Sequence, residues 1–163
     1  MSSVDLHHLL VSIDNLSDEQ ALEKGRQLYT TIYTGSQQRG SLKTWKEEWV
    51  YFFADRYDHA FKTSPNRAQQ AYLKTKVDRE RIARIRWIKE ILEGRVQNAE
   101  CRHVPNESKK WEPPKYIILA WDYSYIIWLN GLRNGALRFS SAYPTTKEDM
   151  RRYIQVSRLA WKL

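Results

Sequence analysis

The chain has 163 residues, a length that fits one compact domain with a sizeable core. Its aromatic content of 13% argues against a disordered chain, and its net charge of +8 favours a polyanionic partner, first nucleic acid and then an acidic protein or a membrane surface. The single cysteine, Cys101, excludes an intramolecular disulfide and a multi-cysteine zinc site, and is expected to be a small buried residue.

The N-terminal segment lacks the basic-then-apolar pattern of a signal peptide. No apolar run approaches the ~20 residues that span a bilayer. We therefore expect a soluble, cytoplasmic protein with no membrane partner.

The first part of the chain is expected to be helical. Val4–Ile13 is a short amphipathic stretch, and Ser17 with Gln20 forms the pattern of a capping box that starts a helix running to about Thr34. The loop Gly35–Gly40 is the best candidate boundary. We predict an N-terminal helical hairpin extension over residues 1–40 and the main domain over residues 41–163.

The middle of the chain mixes strand and helix signals. Trp49–Phe53 is aromatic and β-branched, which predicts a strand, with a helix from Leu42 as the alternative. Ala54–Lys62 is predicted to be a helical turn. Asp78–Leu92 is the clearest helix, because Asp78 can cap it and apolar residues recur at helical spacing, at Ile82, Ile85, Ile88 and Leu92.

The last part of the chain predicts an antiparallel sheet. Asn134-Gly135 supplies a hairpin turn, and candidate strands lie at Val96–Val104, Tyr116–Ala120, Tyr125–Asn130 and Ala136–Ala142. Lys147–Leu163 is predicted to be a basic helix. The expected fold class is α+β, in which N-terminal helices precede a four-stranded antiparallel sheet, with helices packed on one face and the other face open to a ligand.

The side chains available for chemistry are histidine, tyrosine, serine and arginine. No His-Glu-x-x-His motif, cysteine pair or glycine-rich phosphate loop occurs, so neither a metal nor another cofactor is expected. These residue types suit RNA cleavage by attack of the ribose 2′-OH on the adjacent phosphate. Histidine can act as acid or base because its pKa lies near ~6.5, while arginine and hydroxyl groups donate to the phosphate.

His59 is the leading candidate for proton transfer. It follows Arg56 at helical i, i+3 spacing, so an imidazole and a guanidinium can lie on one helix face. The alternative is an ordinary histidine packed beside Tyr57 and Phe61. His103, in a polar loop, is the second choice of histidine.

Other residues could hold phosphate. Arg81, Arg84 and Arg86 could form a phosphate track beside Trp87 as a stacking platform. The alternative is a solvated helix face with Trp87 in the core, and for Trp87 we prefer the core. Tyr125 is either a sheet-packing aromatic residue or a phosphate donor. In the last strand, alternation places Ser141 and Tyr143 on the face of Leu137 and Phe139, with Arg138 and Ser140 opposite, unless a bulge re-aims Ser141.

Four motifs occur in order: Arg-Tyr-Asp-His-Ala-Phe at 56–61, Arg-x-x-Arg-Ile-x-Trp-Ile at 81–88, Tyr-Ile-Ile-Trp-Leu at 125–129 and Phe-Ser-Ser-Ala-Tyr-Pro at 139–144. Together they resemble the phage-associated and polymorphic-toxin branches of the barnase–EndoU–colicin–RelE nuclease superfamily, over about Trp49 to Tyr153. The resemblance implies a helical part packed on a four-stranded antiparallel sheet. It also implies a metal-independent ribonuclease, which in some members acts on tRNA or on ribosome-bound mRNA.

The resemblance also implies roles for single residues. His59 matches the histidine after the first strand, and Arg81 and Arg84 match an arginine-bearing helix. Ser141 stands where threonine is common in a Thr-Ala-Tyr-Pro motif, and Tyr143 matches its aromatic residue. Serine keeps the hydroxyl of threonine but loses its stiff χ1.

We therefore expect an endoribonuclease of toxin or effector type, in which His59, Ser141, Tyr143 and Arg56 are catalytic and the substrate-binding residues are Arg81, Arg84, Arg138 and Tyr125. RNA is the expected partner, with tRNA or mRNA as candidates, and an acidic antitoxin or immunity protein is a second partner. The alternatives are a non-catalytic nucleic-acid-binding protein and a phage- or defence-associated interaction module.

Overall fold

The structure, a computed structural model, describes residues 3–63, 76–105 and 113–162. The helices are α1 (Asp18–Tyr29), continued by a π-helical turn over Thr30–Thr34, α2 (Arg56–Ala60), α3 (Arg79–Ala83), α4 (Trp87–Leu92) and α5 (Lys147–Gln155). The strands are β1 (Arg39–Lys43), β2 (Trp49–Phe53), β3 (Lys62–Thr63), β4 (Lys76–Val77), β5 (Ala99–Val104), β6 (Lys115–Ala120), β7 (Tyr125–Gly131), β8 (Leu137–Pro144) and β9 (Arg158–Lys162). Short 3-10 turns lie at Leu6–Leu9 and Trp121–Tyr123.

The main sheet has seven strands in the order β1-β2-β8-β7-β6-β5-β9. Strands β2 and β8 are parallel, and the other neighbours in this sheet are antiparallel. The chain is α+β, but the predicted four-stranded antiparallel sheet behind N-terminal helices is wrong. The meander β5 to β8 would leave unpaired backbone groups along both its edges, and the β1–β2 hairpin and β9 satisfy many of them.

The predicted late strands are confirmed. Strands β6, β7 and β8 are adjacent and antiparallel, with Ile118 opposite Ile127 and Ile127 opposite Ala142. The β7–β8 turn contains Gly135 at φ +86°, a conformation that glycine adopts without strain. The Asn134 side chain accepts a hydrogen bond from the backbone N–H of Ala136 at 3.0 Å. The Asn-Gly pair therefore marks the turn that it predicted.

The predicted helix Asp78–Leu92 is divided in two. Asp78 does cap its start, and the predicted apolar stripe is buried. A turn over residues 84–86 nevertheless separates α3 from α4. Ile85 and Trp87 are both buried, yet two residues apart they would point to nearly opposite sides of a straight helix. The break rotates α4 so that both side chains enter the core.

The C-terminal helix is shorter than predicted. Helix α5 ends at Gln155, and residues 158–162 leave it to form β9, antiparallel to β5. Trp161 packs edge-on against Trp45 with 4.8 Å between ring centroids. Sheet pairing and this aromatic contact outweigh the helical preference of the segment.

The N-terminal residues share the core of the sheet. Ser17 and Gln20 form the predicted capping box, with both hydrogen bonds present. Between residues 3 and 17 the structure has one 3-10 turn where a first helix was predicted. Leu6 and Tyr33 are buried in the same cluster as the sheet residues. The predicted boundary between an N-terminal extension and the main domain at residue 40 stays a prediction. In the structure that residue lies within β1.

The two faces of the sheet are covered unequally. The inner face, which includes Val50 and Phe139, packs in the main core with the N-terminal segment and α1, α3 and α4. On the outer face, Met150 of α5 packs on β6 and β7, against Ile117, Leu119 and Ile126. Helices therefore pack on both faces, and the prediction that they pack on one face only is wrong. On β2 the outer face is open, and Trp49 is 45% exposed there.

The buried tyrosines predict alkaline unfolding. Burial raises the pKa of each of Tyr29, Tyr33, Tyr57 and Tyr125. In the unfolded chain tyrosine ionises near pH ~10, so stability is fully present below that pH and is lost as the pH rises above it. We expect the melting temperature to be flat up to pH ~9 and to fall steeply between pH ~10 and ~12. A melting temperature unchanged across that interval would contradict the burial of these hydroxyls.

Candidate functional site

The candidate site lies where β2 and β8 separate. These parallel strands pair at Val50 with Leu137 and at Tyr51 with Arg138. Beyond that point β2 ends at Phe53 and the chain turns into α2, which lies against the second half of β8. We call this region the fork, formed by α2 and by residues 138–143 of β8. It brings together two segments that are far apart in the sequence.

A β-bulge in β8 decides which side chains face the fork. Trp128 pairs with Ser141 and Leu129 pairs with Phe139, which leaves Ser140 as the extra residue. After the bulge the alternation is reversed, so that Ala142 is buried in the main core. Tyr143 packs with the outer cluster instead. The conditional prediction was that a bulge would re-aim Ser141, and the bulge is present.

Arg56 ties α2 to the bulge. Its Nε donates to the Ser140 carbonyl oxygen at 2.7 Å, and its Nη2 donates to Ser140 Oγ at 3.0 Å. Burial lowers the pKa of Arg56, and the nearby positive charge of Arg138 lowers it further. Two cations are thus held close together at the fork, which favours a bound anion between or beside them.

His59 lies one helical turn after Arg56 on α2 and is half-buried. The helix is held at its other end by Arg81, whose Nη1 donates to the Ala60 carbonyl oxygen at 3.1 Å. On its exposed side, Asp58 forms an ion pair with Arg26 at 2.8 Å. A helix of only five residues has little stability of its own, so these contacts fix the position of His59 relative to β8.

Tyr143 is held by contacts to its ring and to its hydroxyl group. The Arg81 guanidinium lies 4.6 Å from the ring centroid, and Trp128 Nε1 donates to the hydroxyl at 2.9 Å. Burial raises the pKa of the neighbouring Tyr153, and the proximity of Tyr143 raises it further. Tyr143 therefore presents a fixed hydroxyl on the outer face, next to Ser141 on the same strand.

Arg81 is committed mainly to protein contacts. Besides Ala60 and the Tyr143 ring, it lies 3.2 Å from Asp78, measured from Nε to Oδ2. Its positive charge is therefore largely balanced. Arg81 therefore lies beside the fork and holds its residues in place, and little of its charge is available to a phosphate.

Arg84 and Tyr125 have other surroundings. Arg84 forms an ion pair with Glu80 at 2.7 Å and lies over the ring of Trp87. Tyr125 is 0% exposed, and its hydroxyl has no hydrogen-bond partner among the described residues. Trp87 is in the core, as preferred from the sequence. The fork thus carries Arg56 and His59 on α2 and Arg138, Ser141 and Tyr143 on β8, and Arg81 contacts residues of both elements.

The other reactive side chains lie elsewhere. His103 is on β5, separated from β8 by two strands, with Arg158 at 3.5 Å and with the Tyr116 ring beside it. Cys101 is buried as expected, and burial raises the pKa of its thiol. Among the described residues, no three His, Cys, Asp or Glu side chains are grouped so that they could hold a metal ion.

Sequence reasoning missed Ser140 and Trp128. Ser140 accepts both hydrogen bonds of Arg56, and Trp128 holds the Tyr143 hydroxyl. Extending the strand register from the Asn134-Gly135 turn does not predict that Trp128 pairs with Ser141, because the bulge shifts the register by one residue. The contact of Arg56 with Ser140 joins residues 84 positions apart and leaves no local signal.

Comparisons with protein-family models, curated proteins and solved structures found no match to this chain. Across residues 3–63, 76–105 and 113–162, no helix has the length and apolar character that crossing a membrane requires.

Proposed function

We propose that this chain is a metal-independent endoribonuclease of toxin or effector type, which cleaves RNA by attack of the ribose 2′-OH on the adjacent phosphate. The observation that carries the proposal is the fork. There, Arg56 fixes the helix that bears His59 to the strand that bears Ser141 and Tyr143. The order of motifs resembling the barnase–EndoU–colicin–RelE superfamily adds support from the sequence.

The fork offers the groups that this reaction needs. His59 would take the proton from the 2′-OH or give one to the leaving 5′-oxygen. Arg56 and Arg138 supply positive charge beside the phosphate, and the hydroxyls of Ser141 and Tyr143 can donate to its oxygens. Arg81 acts as a positioning residue, since it holds both Ala60 and the ring of Tyr143.

The proposed substrate is RNA, with tRNA or mRNA as candidates, and the proposed compartment is the cytoplasm. A cytoplasmic ribonuclease of this kind needs restraint, so an acidic antitoxin or immunity protein is the proposed protein partner. The net charge of +8 favours both of these acidic partners.

Incubation of the purified chain with total RNA in EDTA tests the proposal. We expect discrete fragments that carry 2′,3′-cyclic phosphate and 5′-hydroxyl ends, because transesterification leaves those groups. RNA with 2′-O-methyl groups should remain intact, since it lacks the nucleophile. Intact RNA in the first reaction, or fragments with 5′-phosphate ends, would contradict the proposed chemistry.

A further inference from the structure

The outer face of the β1–β2 hairpin carries aromatic and basic side chains. Alternation along β2 buries Val50 and Phe52 in the core and turns Trp49 and Tyr51 outward. On β1 the matching outward residues include Arg39 and Lys43, both exposed. We call the four residues Arg39, Lys43, Trp49 and Tyr51 the hairpin face.

The four side chains form two cation–aromatic pairs. The Arg39 guanidinium lies 4.5 Å from the centroid of the Tyr51 ring, and Lys43 Nζ lies 5.0 Å from the Trp49 ring. Cation–aromatic contacts at exposed sites are weak, so a ligand can displace the cations from the rings. Neither cation is held by an ion pair within the part of the chain that the structure describes.

The hairpin face runs into the fork. Tyr51 is in register with Arg138 on the neighbouring strand β8, and both are outward-facing. Two residues further along β8 lies Ser140, which Arg56 contacts. Adjacent strands are about 4.8 Å apart, so β1, β2 and β8 form a basic surface roughly 10 Å wide that leads to the proposed active site.

We infer that the hairpin face binds unpaired nucleotides of a single-stranded RNA whose backbone continues into the fork. This inference rests on the proposed function and names the class of substrate. Exposed rings stack on bases of any sequence, and flanking cations follow the phosphates. A duplex hides the faces of its bases within its own stack, so it cannot use Trp49 and Tyr51 in this way.

The chain has a second basic surface, on α5 and β9, which serves as the comparison. There Arg152 is paired with both Glu148 and Asp149, so part of its charge is balanced. One exposed apolar residue of that region, Leu159, lies on β9, at the opposite edge of the sheet from the hairpin face. Leu159→Ala is therefore the control, since it also shortens an exposed apolar side chain, but on the edge strand β9, far from the hairpin face.

Binding is measured by fluorescence anisotropy, with a labelled 2′-O-methyl RNA of about 12 nucleotides that cannot be cleaved. We expect Trp49→Ala to weaken binding by roughly 10-fold to 100-fold with little change in salt dependence, because a stacking contact is lost. The double variant Arg39→Ala/Lys43→Ala is expected to make the negative slope of log affinity against log salt shallower by about 1.4, since two phosphate contacts are lost. Leu159→Ala should bind as the unaltered chain does, and a duplex of the same length should bind less tightly.

Three results would overturn the inference: equal affinities of the Trp49→Ala and unaltered chains, tighter binding of the duplex, or absence of binding by the unaltered chain. Cleavage of natural RNA is scored separately. If the chain binds RNA through Trp49 but does not cleave it, the inference stands and the proposed function is wrong. If the chain cleaves RNA but its binding does not depend on Trp49, the proposed function stands and the inference is wrong.

Discussion

Replacement of His59 by alanine is expected to lower the rate of RNA cleavage by roughly 10²–10⁴-fold, the contribution typical of a general acid or base. His59 is the histidine that the fold places on α2, one turn after Arg56, and both ends of that helix are held. Affinity for uncleavable RNA is expected to stay close to that of the unaltered chain, because the phosphate contacts are made by other side chains. Single-turnover cleavage of a short RNA, combined with anisotropy, separates the two quantities.

His103→Ala is the matched control for this experiment. His103 lies on β5 with β6 and β7 between it and β8, so its loss should leave cleavage unchanged. If His59→Ala fails to fold, His59→Gln keeps the length and polarity of the side chain and allows the same comparison. A folded His59 variant that cuts at the normal rate would refute the role of His59. Loss of activity in His103→Ala would instead move the site to β5.

Local signals in the sequence predicted local features of the fold well. The Asn134-Gly135 pair predicted the hairpin, and Ser17 with Gln20 predicted the start of α1, because each signal acts within four residues. The strand predicted at Trp49–Phe53 is confirmed as β2, but its parallel pairing with β8 was not predicted, and neither was β9. Each of these pairings depends on the free edge of a distant strand, so it leaves no mark in its own segment.

The candidate site was also predicted only in part, because its local patterns are visible in the sequence and its long-range contacts are not. The strand ending in Ser141 and Tyr143 has a recognisable local pattern, and so has the Arg56–His59 turn. That α2 lies against this strand follows from the separation of β2 and β8, a property of the whole sheet. Arg84 was assigned to substrate binding from the family resemblance and Tyr125 from its residue type. In the structure Arg84 forms an ion pair with Glu80, and Tyr125 is fully buried.

Arg56 is expected to affect the rate strongly through the position of α2, in addition to the charge that it places beside the phosphate. Both of its hydrogen bonds go to Ser140, the extra residue of the bulge, and the lysine in Arg56→Lys keeps the charge but cannot make the same forked contact. A misplacement of about 1 Å can lower an enzymatic rate about 10²-fold, so we expect kcat to fall by roughly that factor while KM changes little. The lost charged hydrogen bonds should also lower the free energy of unfolding by about 1–3 kcal/mol.

Ser140→Ala is the comparison that isolates the geometry. It removes only the Oγ acceptor and leaves the 2.7 Å hydrogen bond from Arg56 to the backbone carbonyl in place. We expect its kcat to stay within about 10-fold of the unaltered value, since the remaining hydrogen bond still fixes α2 to the bulge. Stability is measured by denaturant unfolding alongside the kinetics of each variant. If Arg56→Lys lowers stability as expected but leaves kcat unchanged, Arg56 supports the fold alone, and His59 does not depend on it for its position.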